Sequence, residues 1–212
     1  MIKNVVFDMG GVLIACNFDY YCEKYMTDPE DRALVRQELF GSVEWIQMDR
    51  GTREPEEVEK AVCARLPERL HGVVHAAMDD WHTEATHIPG MEDLIRRIKA
   101  AGYGVYLLSN TAKSFHGFRT KLPAYDCFDG MFISADCHLL KPEIAIFQAF
   151  CDEYRLVPGE CVFVDDLSIN IEGAIHAGWE GIVFRGDAQR LTSDLAALGV
   201  EIYISPNPLF RS

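Results

Sequence analysis

The chain has 212 residues, 49% of them hydrophobic and 25% charged, enough for one sizeable core or for a core with a small second module. Its 33 acidic and 20 basic residues leave a formal net charge of −13. That balance excludes a general nucleic-acid or anionic-membrane surface, because both need concentrated positive charge, while a local phosphate site remains open to it.

The first element is an apolar run, Ile2, Val5, Val6 and Phe7, with strong strand preference. Asp8 closes it, followed by Met9, the pair Gly10-Gly11, and Val12, Leu13 and Ile14. A short apolar run ended by a carboxylate and two glycines reads as a buried parallel strand that stops at a site, or as a plain turn. In open α/β sheets ligands bind beyond the carboxyl ends of the strands, where Asp8 would stand.

From about Asn17 to Thr86 the pattern is helical, with no strand signal. Asp28-Pro29-Glu30 is a helix start, with a capping Asp and Pro in the first turn. Ala33, Leu34, Leu39 and Phe40 supply its apolar face, and Gly41 ends it. Ser42 caps a short helix with Val43, Trp45, Ile46 and Met48. Thr52 and the acidic run Glu54 to Glu59 open another, broken by Pro67, and a last helix is expected over 68–83. His71, His75 and His82 lie near one stripe of that helix, which reads as ordinary surface or interface histidine rather than as a metal site.

From Pro89 onward helices and strands alternate. Helices are expected at Met91–Ala101, Phe115–Leu122, Glu143–Tyr154, Ile169–Ala177 and Ala188–Leu198. Strands are expected at Tyr103–Leu108, Met131–Ile133, Cys161–Val164, Gly181–Phe184 and Glu201–Ile204, with a tail over Pro206–Ser212. Alternation of this kind means parallel pairing through right-handed crossovers, hence a three-layer, Rossmann-like α/β sheet. The expected division is a core of 1–16 and 87–212, with a helical block, 17–86, inserted after strand one at the same end as Asp8.

Seven cysteines, an odd number without C-x-x-C spacing, argue against a disulfide framework or a zinc site and for reduced thiols in a cytoplasmic protein. The first residues enter a strand directly, without a signal-peptide layout, and no apolar run is long enough to span a bilayer. The expected partner is therefore a small molecule, with no nucleic acid and no membrane. The sequence does not separate monomer from homodimer.

Four strand ends carry chemistry: Asp8, Ser109-Asn110, Lys141 and Asp165-Asp166. Each alone reads equally as a turn or a helix cap. Together, after successive strands of one sheet, they would gather three carboxylates that repel one another. A hard divalent cation relieves that repulsion, and Mg²⁺ suits carboxylates, a backbone carbonyl, water and a substrate phosphate. Lys141 keeps Asp8 ionised and offsets phosphoryl charge, while the Ser109 hydroxyl and the Asn110 amide, near a helix start, hold phosphate oxygens. This is equipment for phosphoryl transfer through an aspartyl-phosphate.

Phe7-Asp8-Met9-Gly10-Gly11-Val12, Ser109-Asn110, Lys141-Pro142 and Val164-Asp165-Asp166 resemble, in order, the four motifs of the haloacid dehalogenase superfamily. The block over 17–86 resembles that family's small helical cap, and the nearest branch resembles its sugar-phosphate phosphatases, including those acting on glucose 1-phosphate. The resemblance implies Asp8 as nucleophile, Lys141 as its charge partner, and Ser109, Asn110 and Lys141 on the phosphate. It implies Mg²⁺ held by Asp8, the Gly10 carbonyl and Asp166, with Asp165 acting through water or from behind. One position departs from the pattern. Most phosphatases of the family carry a second Asp two residues after the nucleophile as acid and base, and Gly10 stands there. The substrate would then need a leaving group good enough to depart without a proton, or the proton would come from another residue, in the Asn17–Asp19 turn or the cap. Two alternatives remain: a metal-free 2-haloacid dehalogenase, and a catalytically impaired binder of phosphorylated ligands. Trp45 and Met48 are candidates for specificity.

Overall fold

The computed structural model describes residues 1–15 and 18–202. Five strands form one parallel sheet: β1 (Asn4–Phe7), β4 (Gly104–Ser109), β5 (Gly130–Ile133), β6 (Cys161–Asp165) and β7 (Glu180–Val183). Their order is β5-β4-β1-β6-β7, so the first strand lies in the middle. The chain runs outward from β1 through β4 to β5, then returns to β1's other side with β6. A crevice opens at such a reversal, beyond the strand ends. Phe7 is level with Leu107 on one neighbour and Val164 on the other. The sequence therefore delivers Asp8 between the ends of β4 and β6, where its N–H donates to Val164 O at 2.9 Å.

Both faces of the sheet are covered, which is why these strands read as continuous apolar runs. Side chains alternate between the faces. Val5, Phe7, Val162 and Val164 pack with Leu94 and Ile98 of α6 (Met91–Ala100) and Leu195 of α11 (Ala188–Ala197). Val6 and Phe163 pack with Phe147 and Phe150 of α9 (Ile144–Tyr154) and Ala174 of α10 (Ser168–His176). The short helices α7 (Phe115–Phe118) and α8 (Ser134–Cys137) follow β4 and β5.

Between β1 and β4 lie α1 (Phe18–Tyr25), α2 (Pro29–Val35), α3 (Val43–Asp49), α4 (Pro55–Cys63) and α5 (His71–Asp80). The caps are those expected: the Asp28 carboxylate accepts from the Glu30 N–H at 2.8 Å, and Ser42 Oγ from the Trp45 N–H at 3.1 Å. Val35, Leu39, Val58, Val62 and Val74 give these helices an apolar core of their own. The three histidines diverge. His71 faces Leu66 O, His75 pairs with Glu59, and His82 stacks on Phe118.

Two expectations change. The 17–86 block was expected to hold no strand, yet β2 (Ile14–Ala15) and β3 (Thr86–His87) pair antiparallel where the chain leaves and rejoins the core. Two residues a side are too short to show a period in sequence. The strand expected at Glu201–Ile204 is not formed over Glu201 and Ile202; its remainder, the Pro206–Ser212 tail, and Cys16 and Asn17 lie outside the described residues.

Candidate active site

A cleft of about 300 Å³ opens over the carboxyl ends of β1, β4 and β6. The core contributes Asp8, Gly10, Gly11, Ser109, Asn110 and Asp166, and the helices Phe18, Trp45 and Asp49. Asp8, Asp165 and Asp166 each bring a carboxylate oxygen to within 4.8 Å of the others. Three strand-end segments far apart in sequence thus meet around one cleft.

Lys141 lies beneath them, its side chain 1% exposed. Its ammonium is 2.8 Å from Asp8 Oδ1, 2.8 Å from Asp165 Oδ2 and 3.1 Å from Leu108 O. Three donors thus meet three acceptors. In this arrangement the ammonium is directed at these three acceptors. Burial lifts the Asp8 carboxyl to about 6, against the opposing pull of Lys141; the Asp165 charge adds to the rise. Asp166, half-buried, is raised by burial first and then by Asp165.

Asp165 is fully enclosed and saturated. Its Oδ1 accepts from the Leu167 N–H at 2.8 Å, and Asn170 Nδ2 reaches both oxygens at 3.0 and 3.2 Å. That ties the β6–α10 loop to Lys141 and leaves Asp166 as the acid turned toward the cleft. Gly11 permits this approach. It sits at φ +71°, and a Cβ there would lie 2.4 Å from Asp166 Oδ2.

Asn110 is likewise partly committed. Its side chain donates to Lys141 O at 3.0 Å and accepts from the Lys141 N–H at 2.9 Å. The donors left for an anion are its backbone amide and the Ser109 hydroxyl. They belong to a loop and not to a helix start as expected, since α7 begins only at Phe115.

The helical side holds what sequence reasoning did not find. Asp49 ends α3 and lines the cleft. Burial raises its carboxyl to about 8, although the Trp45 side chain and the Ala112 backbone donate to it and pull the other way. Phe18 stacks on Phe40, centroids 4.2 Å apart, and meets Trp45 edge-on at 5.8 Å, giving one wall an aromatic surface. Of the two specificity candidates Trp45 lines this cleft, whereas Met48 lines a smaller cavity beside Arg53 and Ala112.

A family model described as haloacid dehalogenase-like hydrolase matches residues 2–178. Among curated proteins, a sesquiterpene phosphatase of Aspergillus oryzae is 29% identical over 85% of this chain and 88% of its own. A D-ribitol-5-phosphate phosphatase of Bacteroides thetaiotaomicron is 26% identical over 85% of this chain and 90% of its own. Among solved structures, a Bacteroides thetaiotaomicron haloacid dehalogenase family enzyme in complex with magnesium and inorganic phosphate shares the fold. Its TM-score is 0.70 at 23% identity, over 90% of this chain and 99% of that one.

Proposed function

The chain belongs to the haloacid dehalogenase-like hydrolases, and from that premise we propose that it removes phosphate from a small phosphorylated metabolite through a phosphoaspartate on Asp8. The observation that carries this reading is the carboxylate group of Asp8, Asp165 and Asp166 set over the buried Lys141. One ammonium does not balance three carboxylates, and Asp8 and Asp166 are both raised. An all-oxygen donor set of this kind fits a hard cation. Asp8, Asp166 and the Gly10 carbonyl would hold Mg²⁺, with Asp165 supporting them through Lys141. Once bound, the ion supplies charge neutralisation at the phosphoryl oxygens.

Asp8 attacks phosphorus. Lys141 holds it ionised and aimed, and Asp165 fixes Lys141. Ser109 and the Asn110 amide grip the phosphate from the β4 side. The helical block, 17–86, closes the cleft as a cap, with Phe18 and Trp45 facing the organic part of the substrate. A sugar phosphate fits the size of the cleft. The aromatic wall, together with the Aspergillus oryzae relative's name, favours a second substrate class, an apolar alcohol phosphate. A dehalogenase without metal would leave Asp166 uncompensated beside the nucleophile, which favours the phosphatase. Six of the seven cysteines are described and all six are free, in keeping with a cytoplasmic setting. Among the described residues no helix is long and apolar enough to cross a membrane.

The test is phosphate release from sugar phosphates, terpenyl monophosphates and acyl phosphates, with Mg²⁺ and with EDTA. Release that requires Mg²⁺ and is abolished by Asp8→Asn is expected. Turnover indifferent to EDTA, or retained by Asp8→Asn, overturns the reading.

A further inference from the structure

Gly10 leaves the proposed reaction without a proton donor on the core side of the cleft. We propose that Asp49 is the acid and base: it gives its proton to the leaving oxygen as the phosphorus–oxygen bond breaks and Asp8 bonds to phosphorus, then takes a proton from the water that hydrolyses the phosphoaspartate. The inference rests on the phosphatase reading and adds the residue that reading lacks.

Position comes first. Asp49 lines the cleft that holds Asp8, Ser109 and Asp166, yet it stands outside the group of carboxylates that crowd within 4.8 Å of one another. Asp49 and Asp8 line one cleft from different elements, Asp49 at the end of α3 and Asp8 at the end of β1. Among the described residues it makes no ion pair, so no cation holds it as a carboxylate.

Support comes next. The turn that carries Asp49 is fastened to the core at several points. Ser134 Oγ donates to Asp49 O at 2.5 Å and accepts from the Thr111 N–H at 2.9 Å. Arg50 forks onto Glu143 at 2.5 and 3.2 Å, and His138 Nδ1 donates to Arg50 O at 3.1 Å. Gly51, at φ +72°, lies so close to the core that a Cβ would sit 2.2 Å from Ala135 O. This seat holds the carboxyl at a fixed place above the site, as acid–base catalysis requires.

Chemistry comes third. The carboxyl receives hydrogen bonds from Trp45 and from the Ala112 backbone. Both are donors, so a protonated carboxyl's own hydrogen is left for a substrate oxygen. Burial raises the group toward neutrality, and the C-terminal end of α3 acts in the same sense because it carries partial negative charge.

The experiment compares wild type, Asp49→Asn and Asp49→Glu on an alkyl phosphate and on phenyl phosphates of graded leaving-group acidity. On the alkyl phosphate Asp49→Asn is expected to lose roughly 10²- to 10³-fold in kcat/KM. On p-nitrophenyl phosphate, whose leaving group needs no proton, kcat/KM should fall less than about fivefold, while kcat drops because the second step still lacks its base. Asp49→Glu should recover part of the alkyl activity. In wild type alone, kcat/KM should depend only weakly on leaving-group acidity, a measurement that needs no variant to fold. Equal losses on alkyl and nitrophenyl substrates, or a steep wild-type dependence, overturn the assignment of Asp49 and leave the phosphatase standing. A wild-type protein that releases no phosphate from any of these overturns both.

Discussion

Replacing Asp49 with Asn tests the environment of that carboxyl without any catalysis. In the folded chain burial raises it from 3.8 to about 8. Between those two values the folded state keeps a proton that the unfolded state has released, so stability falls as pH rises across the window. The shift is roughly four units, and at ~1.4 kcal/mol per unit its ceiling is ~6 kcal/mol. Water in the open cleft relieves part of this, which brings the expected penalty to ~2–4 kcal/mol above pH 8. The charged groups around it do not offset the loss. Arg50 is engaged by Glu143, Glu44 by Arg65, and His138 turns to Arg50 O; Asp8 and Asp166 across the cleft are of like sign. Asn does not titrate. Urea unfolding of both proteins in EDTA from pH 4 to 9 should show the variant gaining on wild type steadily, with the full gain reached above pH 8. Parallel curves, or a gap that closes as pH rises, would refute the buried, unpaired carboxyl described here.

Other substitutions probe the rest of the site. Lys141→Met strips the cation from Asp8 and from the enclosed Asp165 and should cost about 3–5 kcal/mol in urea unfolding at neutral pH; a change below about 1 kcal/mol would mean the three groups are not coupled. Gly11→Ala meets both a left-handed backbone and the Asp166 carboxylate. It should lower stability by ~1–2 kcal/mol and weaken Mg²⁺ binding, measured by calorimetry, at least tenfold. Gly10→Asp placed in the Asp49→Asn background should restore alkyl phosphate turnover at least tenfold if only the proton is missing, and no recovery would show that Asp49 does something else. Arg50→Ala removes a half-exposed ion pair, worth under about 1 kcal/mol of stability, but it unfastens the Asp49 turn. Alkyl phosphate kcat/KM should fall while nitrophenyl phosphate kcat/KM holds.

The core was legible because its rules act over short stretches. A parallel strand covered on both faces must be apolar throughout, so Val5-Val6-Phe7 and Cys161-Val162-Phe163-Val164 announce themselves, and the first polar residue after each marks the sheet's edge. Asp8, Ser109 and Asp165 are legible together in the chain for that reason. What a polar side chain does once it arrives is a different matter. The sequence does not show that Asn110's amide closes on the Lys141 backbone, or that Lys141's three hydrogens are already taken by Asp8, Asp165 and Leu108 O. Those assignments depend on which acceptors the tertiary structure brings near.

Asp49 is the sharper case. On an amphipathic helix an acid in the last turn reads as a solvated residue placed against the dipole, and nothing local contradicts that. Its environment is made by partners far along the chain: Ser134, His138 and Glu143 for the seat, Ala112 for the carboxyl. Gly10 was the visible half of the same fact. On the proposed reading, with Asp8 as nucleophile, a glycine at position 10 leaves that side without a proton source, and among the described residues lining the cleft the one carboxyl from the helical block is Asp49. With Asp49 as the proposed acid, proton delivery would depend on how the helices seat on the sheet. The Arg50–Glu143 fork and the Gly51 approach are then contacts whose effect is read in the rate with poor leaving groups rather than in stability.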